Sequence, residues 1–589
     1  MEATVVFISF ETEFSSYGGL GAVMNILPKE MGADACCVMA PFFDRLIDLD
    51  ALKTQGKIQE FSTLFSYFVV IRGRSYCVDL IEVVNGHGLR HYFLSSAQFF
   101  NVPENPYVNP CDPERPLDPY RNPSNPEKLT EDALFFSTAV PSALAELVKE
   151  GRIPSRDLIL HLQDWETAAV AKACRVVKSS PAIRSMKCVL TIHNPYDKPL
   201  SDVNSSLVLD FAAYLGFQKF HSILAQVIPI LGAPVSTVSR NFAYELRNEV
   251  LYTQIFCPHL QEAFKEKKLL GIDNGIFGAS DFPFSKTALK HAKNADFEKI
   301  QQEKWRRREK LAEVMDTYLR KLTADGKQQS WGQEIDISDP ARPIFLVLGR
   351  DDPRQKGFEV IVEAIRTLPQ GQARFIFTPM PGDEGVAGLN FLHELARERG
   401  NEVIVFPFRV EKTVFQALQK GSSFMVMGSL YEPFGAANEA YLSGMPVVAR
   451  ATGGLVQQVV PHKRCLKDES ILSSYGRQLL QRYHKNNAAP TGILFREQVS
   501  FADEVEGWRR VVDCGYWAYN PKGDRVVDRR GLVLFQDMVR SAEKAFELAI
   551  SLYQRQLQYA EMVYNGWLML EQFGWDRAIA EYRSMLYQA

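Results

Sequence analysis

Two cations stand six positions apart after an apolar run, Arg350 and Lys356 in "PIFLVLGRDDPRQKG". If that run is a strand, both lie beyond its carboxyl end. An arginine fork and a lysine point charge placed there can hold a diphosphate. A second such stretch is "LYEPFGAANEAYLSGMPVVARATGGL", which starts at Leu430. Glu432 follows a strand, Pro433 and Gly435 shape a turn, and a helix starts at about Ala436. Small residues leave that helix start open to an anion. Glu432 and Glu439 are acceptors suited to sugar or ribose hydroxyls. Glycines then recur after a strand in "RATGGL". A related junction opens the chain, "TVVFISFETEFSSYGGLGAVMNIL", with Gly18 and Gly19 between a strand and a helix expected near Gly21. It has two readings. A tight turn needing positive φ is the one a diglycine alone favours. The other is close approach of a phosphate to free N–H groups at a helix start.

The elements that must carry these residues are short apolar runs alternating with helical stretches. The first series is "TVVFISF" at Thr4, "LILHL" at Leu158, "CVLTIH" at Cys188 and "VSTVS" at Val235. The second is "PIFLVLG" at Pro343, "RFIFT" at Arg374, "EVIVF" at Glu402, "FMVMG" at Phe424 and "PVVA" at Pro446. Continuous β-branched and aromatic runs suit strands covered on both faces, and the intervening helices suit a parallel α/β sheet. "GFEVIVEAIRTL" after Lys356 has helical spacing and supplies one crossover. The chain therefore reads as two doubly wound domains with a boundary between about 275 and 340. Their ligands belong at strand carboxyl ends, in the cleft between facing domains. Between the two series runs a long helical pattern with a basic stretch, Lys304 to Lys310, read as a solvated face ahead of a polyanion site. "DISDPARP" reads as a linker, and "CDPERPLDPYRNPSNPEK" at Cys111 as a long surface loop, either functional or an insertion.

Composition narrows the class. The 589 residues carry a net charge of −3 with both signs mixed, which points away from nucleic acid and anionic membranes as main partners. The 9 cysteines, an odd and scattered number without CxxC spacing, suit a reduced cytoplasm. Cys36 and Cys37 read as small buried hydrophobes. No metal-ligand cluster, signal peptide or membrane span is expected.

In order along the chain, these stretches resemble the bacterial glycogen synthase and plant starch synthase family. "SYGGLGAVMNILPKEM" is similar to that family's KTGGL region and "HLQDWETAAVA" at His161 to its HAHDWH region. "TIHNPY" and "STVSRNFAYEL" resemble its TIHN and TVS segments, and "GIDNGIF" the stretch closing its first domain. "GRDDPRQKG", "EPFG" and "RATGGL" match its donor site, and "FGWDRAIAEYRSMLY" its terminal helix. The resemblance implies a GT-B fold with this division: an acceptor-side α/β domain at 1–277, a helical linker at 278–342, a nucleotide-sugar domain at 343–564, and a terminal helix at 565–589 that packs back on the first domain. It implies retaining transfer from a nucleotide-sugar to a hydroxyl, with neither metal nor cofactor, the nucleotide-sugar being a co-substrate. Arg350 and Lys356 would hold the leaving diphosphate, where loss of one donor typically costs about 2.7–4 kcal/mol. Glu432 would bind sugar hydroxyls and Glu439 the ribose. Gly18, Gly19, Phe434, Gly435, Thr452, Gly453 and Gly454 complete the donor side. Glu11, Tyr17, Asp164, Asn194 and Tyr196 line the acceptor side. For Tyr196 a partly buried core tyrosine is an equal reading, and for Asp164 a helix cap is favoured.

The chain also departs from the family. Ser16 and Tyr17 stand where the KTGGL lysine belongs, and Ala22 near the place of an aspartate. Gln163 replaces the catalytic histidine, keeping a hydrogen-bond donor and a backbone carbonyl but no positive charge. His161 matches the earlier histidine, which does not face the sugar. The Arg350–Lys356 spacing is one longer than usual and Glu432–Glu439 one shorter.

The expected activity is transfer of glucose from ADP-glucose or UDP-glucose to the non-reducing end of an α-1,4-glucan. The alternatives are the same chemistry with another donor or a small acceptor, and a non-catalytic carbohydrate-binding relative. Retention of Arg350, Lys356 and "EPFG" argues against the last. A phosphorylase would need a lysine for pyridoxal phosphate, for which no motif is visible, and a dehydrogenase would need GxGxxG, which "GGLG" does not supply.

Overall fold

Apolar runs become strands wherever the sequence places them, and glycines and polar loops end them. The computed structural model describes residues 3–102, 119–120, 122, 124–177, 180–333, 335–352, 354–382, 385–484, 489–513 and 529–588. Most of the long loop at 111–128 lies outside them.

The first sheet holds β1 (Thr4–Ile8), β2 (Cys36–Pro41), β3 (Ile58–Ile71), β4 (Arg74–Asn85), β5 (Arg90–Ser95), β6 (Asp157–Gln163), β7 (Ser185–Ile192), β8 (Val235–Thr237) and β9 (Leu269–Gly271). Its spatial order is β3-β4-β5-β2-β1-β6-β7-β8-β9. The run from β5 through β9 is parallel, whereas β3–β4 and β4–β5 pair antiparallel. This edge extension departs from the purely parallel expectation. Alternating exposure along β3 shows why: one face packs and the other meets water.

The second sheet holds β10 (Ile344–Arg350), β11 (Arg374–Met380), β12 (Val403–Val405), β13 (Phe424–Met427), β14 (Val447–Arg450) and β15 (Gly492–Phe495), in the parallel order β12-β11-β10-β13-β14-β15. Each sheet reverses direction of winding once, between β1 and β6 and between β10 and β13. These are the positions where crossover helices leave on opposite faces and open a crevice.

The helix Glu298–Asp325 packs on the second sheet's layer, against the helix Lys412–Gly421. Its basic run is solvated only in part: Arg306 and Lys310 are exposed as expected, but two of its cationic side chains turn inward. Lys304 is buried and donates to the carbonyls of Ser422 (2.8 Å) and Lys420 (3.1 Å), closing the end of helix Lys412–Gly421. Arg308 is buried too, its Nε donating to Ile337 O (2.6 Å). Carbonyl oxygens give both buried side chains hydrogen-bond partners there.

The chain ends on the first lobe. Trp575, Ile579, Tyr582 and Leu586 enter the cluster that holds Val5, Phe7, Leu20 and Leu27. Tyr587 Oη lies 2.9 Å from His161 Nδ1, whose Nε2 lies 2.7 Å from Thr191 Oγ1. His161 is thus a fully buried structural residue that anchors the returning helix. Cys36 and Cys37 are buried, as their apolar context predicted. Among the described residues no helix is long and apolar enough to cross a membrane.

Candidate active site

Residues that the sequence singled out follow the strand ends at both crevices. In the second lobe, Arg350 is the last residue of β10 and is exposed. Lys356 follows in the loop, and its Nζ lies 3.0 Å from Glu432 Oε2 in the loop after β13. The Ser429 hydroxyl donates to the same oxygen at 2.9 Å. Glu439, on the helix Ala437–Leu442, has neither carboxylate oxygen hydrogen-bonded to another described residue. Burial, with the nearby charge of Glu432, pushes its pKa up to about 7. It is a desolvated acceptor awaiting a donor, which suits a hydroxylated ligand.

The glycines of "RATGGL" serve packing first. A Cβ on Gly453 would lie 1.7 Å from Glu432 O, and one on Gly454 would lie 2.0 Å from Phe434 O. Gly454 N–H donates to Glu432 O at 3.1 Å. The N–H of Gly453 is not free. It points at Glu245 of the first lobe, 2.9 Å from either carboxylate oxygen, and the Thr452 hydroxyl joins it at 3.1 Å. Phe434 turns inward, edge-on to Phe573. Gly435 sits at φ +95°, in the turn before the helix.

In the first lobe, the N–H groups of Tyr17, Gly18 and Gly21 converge on Glu11 Oε2 at 2.7, 3.0 and 3.0 Å. The Tyr120 hydroxyl donates to Glu11 Oε1 at 2.9 Å. This answers the diglycine question differently from either expectation. Gly18 is extended at φ −160°, so positive φ is not the reason for it. The N–H groups of the turn hold the chain's own carboxylate instead of standing free. Crowding falls on Gly21, where a Cβ would lie 2.2 Å from Ser16 Oγ and 2.6 Å from Glu11 Oε2, while Gly19 faces open space. Helix Gly19–Met31 starts two residues earlier than expected.

Gln163 ends β6 and is buried. Its side-chain Oε1 lies 2.6 Å from His193 Nε2, and its backbone carbonyl accepts the Thr167 hydroxyl at 2.8 Å. Asp164 is not the cap that was expected. It sits at φ +59°, and its carboxylate accepts His193 N–H (2.6 Å) and the Asn194 amide (3.0 Å). A non-glycine residue held in the left-handed region is strained, and such strain is concentrated at functional sites. Burial raises Asp164 to about 7 and lifts Glu11 and Glu166 as well. Glu166 Oε2 is buried without a partner on another described residue. Asn194 Oδ1 accepts Tyr196 N–H, and the Tyr196 hydroxyl bridges the lobes, 3.0 Å from Asp352 Oδ2 and 2.7 Å from Tyr431 Oη. Tyr196 is partly buried against the core, as one reading had it, and its hydroxyl makes an interlobe contact.

Sequence reasoning missed Glu166, His193, Glu245 and Asp352. All four lie inside stretches quoted for their motifs, but His193, Glu245 and Asp352 have partners distant in the chain, and Glu166 is marked only by its burial.

Residues 4–258 match the family model described as starch synthase catalytic domain, and residues 333–474 match the one described as glycosyl transferases group 1. Glycogen synthase of Alkaliphilus metalliredigens is 24% identical over 473 residues, 77% of this chain and 84% of that protein. Glycogen synthase of Xanthomonas campestris pv. campestris is 23% identical over 467 residues, with the same coverage. The chain is thus similar to the glycogen and starch synthases along most of its length. The catalytic domain of starch synthase IV from Arabidopsis thaliana, solved with ADP and acarbose, superposes with a TM-score of 0.56 at 18% identity, over 95% of this chain and 99% of that one. The fold is accordingly GT-B, and the chain is a glycosyltransferase.

Proposed function

We propose that the chain transfers glucose from ADP-glucose or UDP-glucose to the non-reducing end of an α-1,4-glucan. The observation that carries this reading is the Lys356–Glu432 pair at the β10/β13 crevice, beside the unsatisfied carboxyl of Glu439. Arg350 and Lys356 take the diphosphate. Lys356 exchanges its contact with Glu432 for phosphate oxygens, and Glu432 then accepts from sugar hydroxyls. Glu439 meets the ribose. Charge develops on the leaving phosphate as the anomeric bond breaks, and fixed cations aimed there stabilise it. That phosphate takes the proton of the attacking hydroxyl on the same face, so configuration is retained. Gln163, Asp164 and Asn194 form the wall opposite, with Glu11 holding the Tyr17–Gly21 turn that frames it. The nucleotide-bound and carbohydrate-bound state of the Arabidopsis relative supports a nucleotide-sugar donor and a glucan-like acceptor.

The test is a transfer assay with ADP-glucose and UDP-glucose against glycogen and maltooligosaccharides, with product linkage and anomeric configuration read by NMR. Transfer to neither acceptor from either donor removes the glucan reading. A second reading, the same chemistry on a small acceptor, is favoured by one observation. The Gln163 carbonyl and side chain are both engaged within the protein, by Thr167 and His193. Transfer to a mono- or disaccharide but not to glucan would select it.

A further inference from the structure

The loop Arg450–Leu455 is held from the opposite lobe. Glu245 stands on the first-lobe helix Arg240–Asn248 and is buried. Its carboxylate receives the N–H of Gly453 at 2.9 Å, the Thr452 hydroxyl at 3.1 Å, the Asn241 amide at 2.9 Å and the Tyr252 hydroxyl at 3.4 Å. Asn241 also donates to Gly453 O at 3.1 Å, and its own N–H donates to Gln457 Oε1 at 2.6 Å. Glu245 is therefore saturated by the protein and has no capacity left for substrate.

What it holds is close to the chemistry. Gly453 and Gly454 press on the backbone of Glu432, through the Gly454 N–H bond and the absence of any room for a Cβ at Gly453. Glu432 in turn carries Lys356. A loop packed this closely cannot shift without moving Glu432, because interiors of this density have no slack. We infer that Glu245, assisted by Asn241, is a positioning residue: from the first lobe it fixes the Thr452–Gly454 loop, and through that loop the place of Glu432, so the sugar-facing end of the donor site is complete only when the lobes are docked, while the diphosphate-holding cations stay in place without it. The inference rests on the transfer function proposed above.

The test uses the full chain, its Glu245→Gln, Glu245→Asp and Asn241→Ala variants, transfer kinetics, and calorimetric binding of ADP and UDP. Glu245→Gln turns an amide toward the Gly453 N–H and should lower kcat tenfold or more, as misplacement of about 1 Å can cost 100-fold. Its affinity for the nucleoside diphosphate should stay within threefold, because Arg350, Lys356 and Glu439 all belong to the second lobe. Glu245→Asp keeps two acceptors and should recover part of kcat. Asn241→Ala should lower kcat in the same sense, and it decides the matter if Glu245→Gln does not fold. A folded Glu245→Gln with kcat within twofold of the parent overturns the inference. So does a parallel loss of kcat and nucleotide affinity, which general loosening would give. If the parent neither binds nucleoside diphosphate nor transfers glucose, the functional reading itself has failed, and the inference falls with it.

Discussion

Replacing Lys356 by alanine separates catalysis from stability. In the structure Lys356 Nζ makes one ion pair, 3.0 Å from Glu432 Oε2, with the two side chains 23% and 15% exposed. A pair that still meets water contributes about 1 kcal/mol or less. Ser429 remains on Glu432 Oε2 after the change, so the carboxylate is not stranded. Melting should therefore fall by only a few degrees, at about 2–4 °C per kcal/mol for a lobe of this size. Catalysis should suffer far more. A fixed donor aimed at developing charge is worth about 2.7–4 kcal/mol, so kcat should drop about 100- to 1,000-fold. The assay is initial-rate glucose transfer, with differential scanning fluorimetry on the same samples. Glu432→Gln and the double variant complete a cycle. If the two residues act as one unit, the double variant loses no more than the worse single. A folded Lys356→Ala protein with kcat within threefold of the parent would refute the assignment of the leaving-group site to the β10/β13 crevice.

Glu439→Gln should stabilise the protein at pH 8 and lose most of that advantage toward pH 5. Burial pushes the folded carboxyl up to about 7, above the unfolded value of about 4.3. The folded state then binds more protons than the unfolded state through that window, and stability falls as pH rises. The gain is on the order of 3–4 kcal/mol at pH 8 and about 1 kcal/mol at pH 5, read by thermal melting at both pH values, and nucleotide affinity should weaken in the same variant. Gly21→Ala should destabilise by about 1–3 kcal/mol through overpacking, because its Cβ meets Ser16 and Glu11, whereas Gly19→Ala should change melting little. Equal melting of the two variants would contradict the packing argument. Tyr587→Phe removes the partner of His161 Nδ1 and should cost about 1–3 kcal/mol with kcat unchanged, since neither residue lies in a crevice.

Local signals carried much of the architecture. Each of the nine apolar runs became a strand, and Arg350, Lys356 and Glu432 fell at strand ends, because glycine and proline after an apolar run end a strand wherever the rest of the chain lies. The β3–β4 hairpin escaped notice because its half-exposed pattern is weaker than a buried parallel run. The basic stretch at Lys304–Lys310 looked solvated because sequence alone cannot show that carbonyls of Lys420 and Ser422 wait for Lys304.

The sequence by itself determined which residues follow the strand ends, since short-range patterning sets strand ends and loop chemistry. Only the tertiary structure decided what those residues face. Glu11 fills the diglycine turn, Glu245 reaches across lobes to Gly453, Asp164 bonds to His193 and Asn194 rather than capping its helix, and Tyr196 bridges to Asp352. The reason is the cost of burying polar groups. Each buried donor or acceptor must find a partner, and that partner is set by which distant segments the packed sheets bring together.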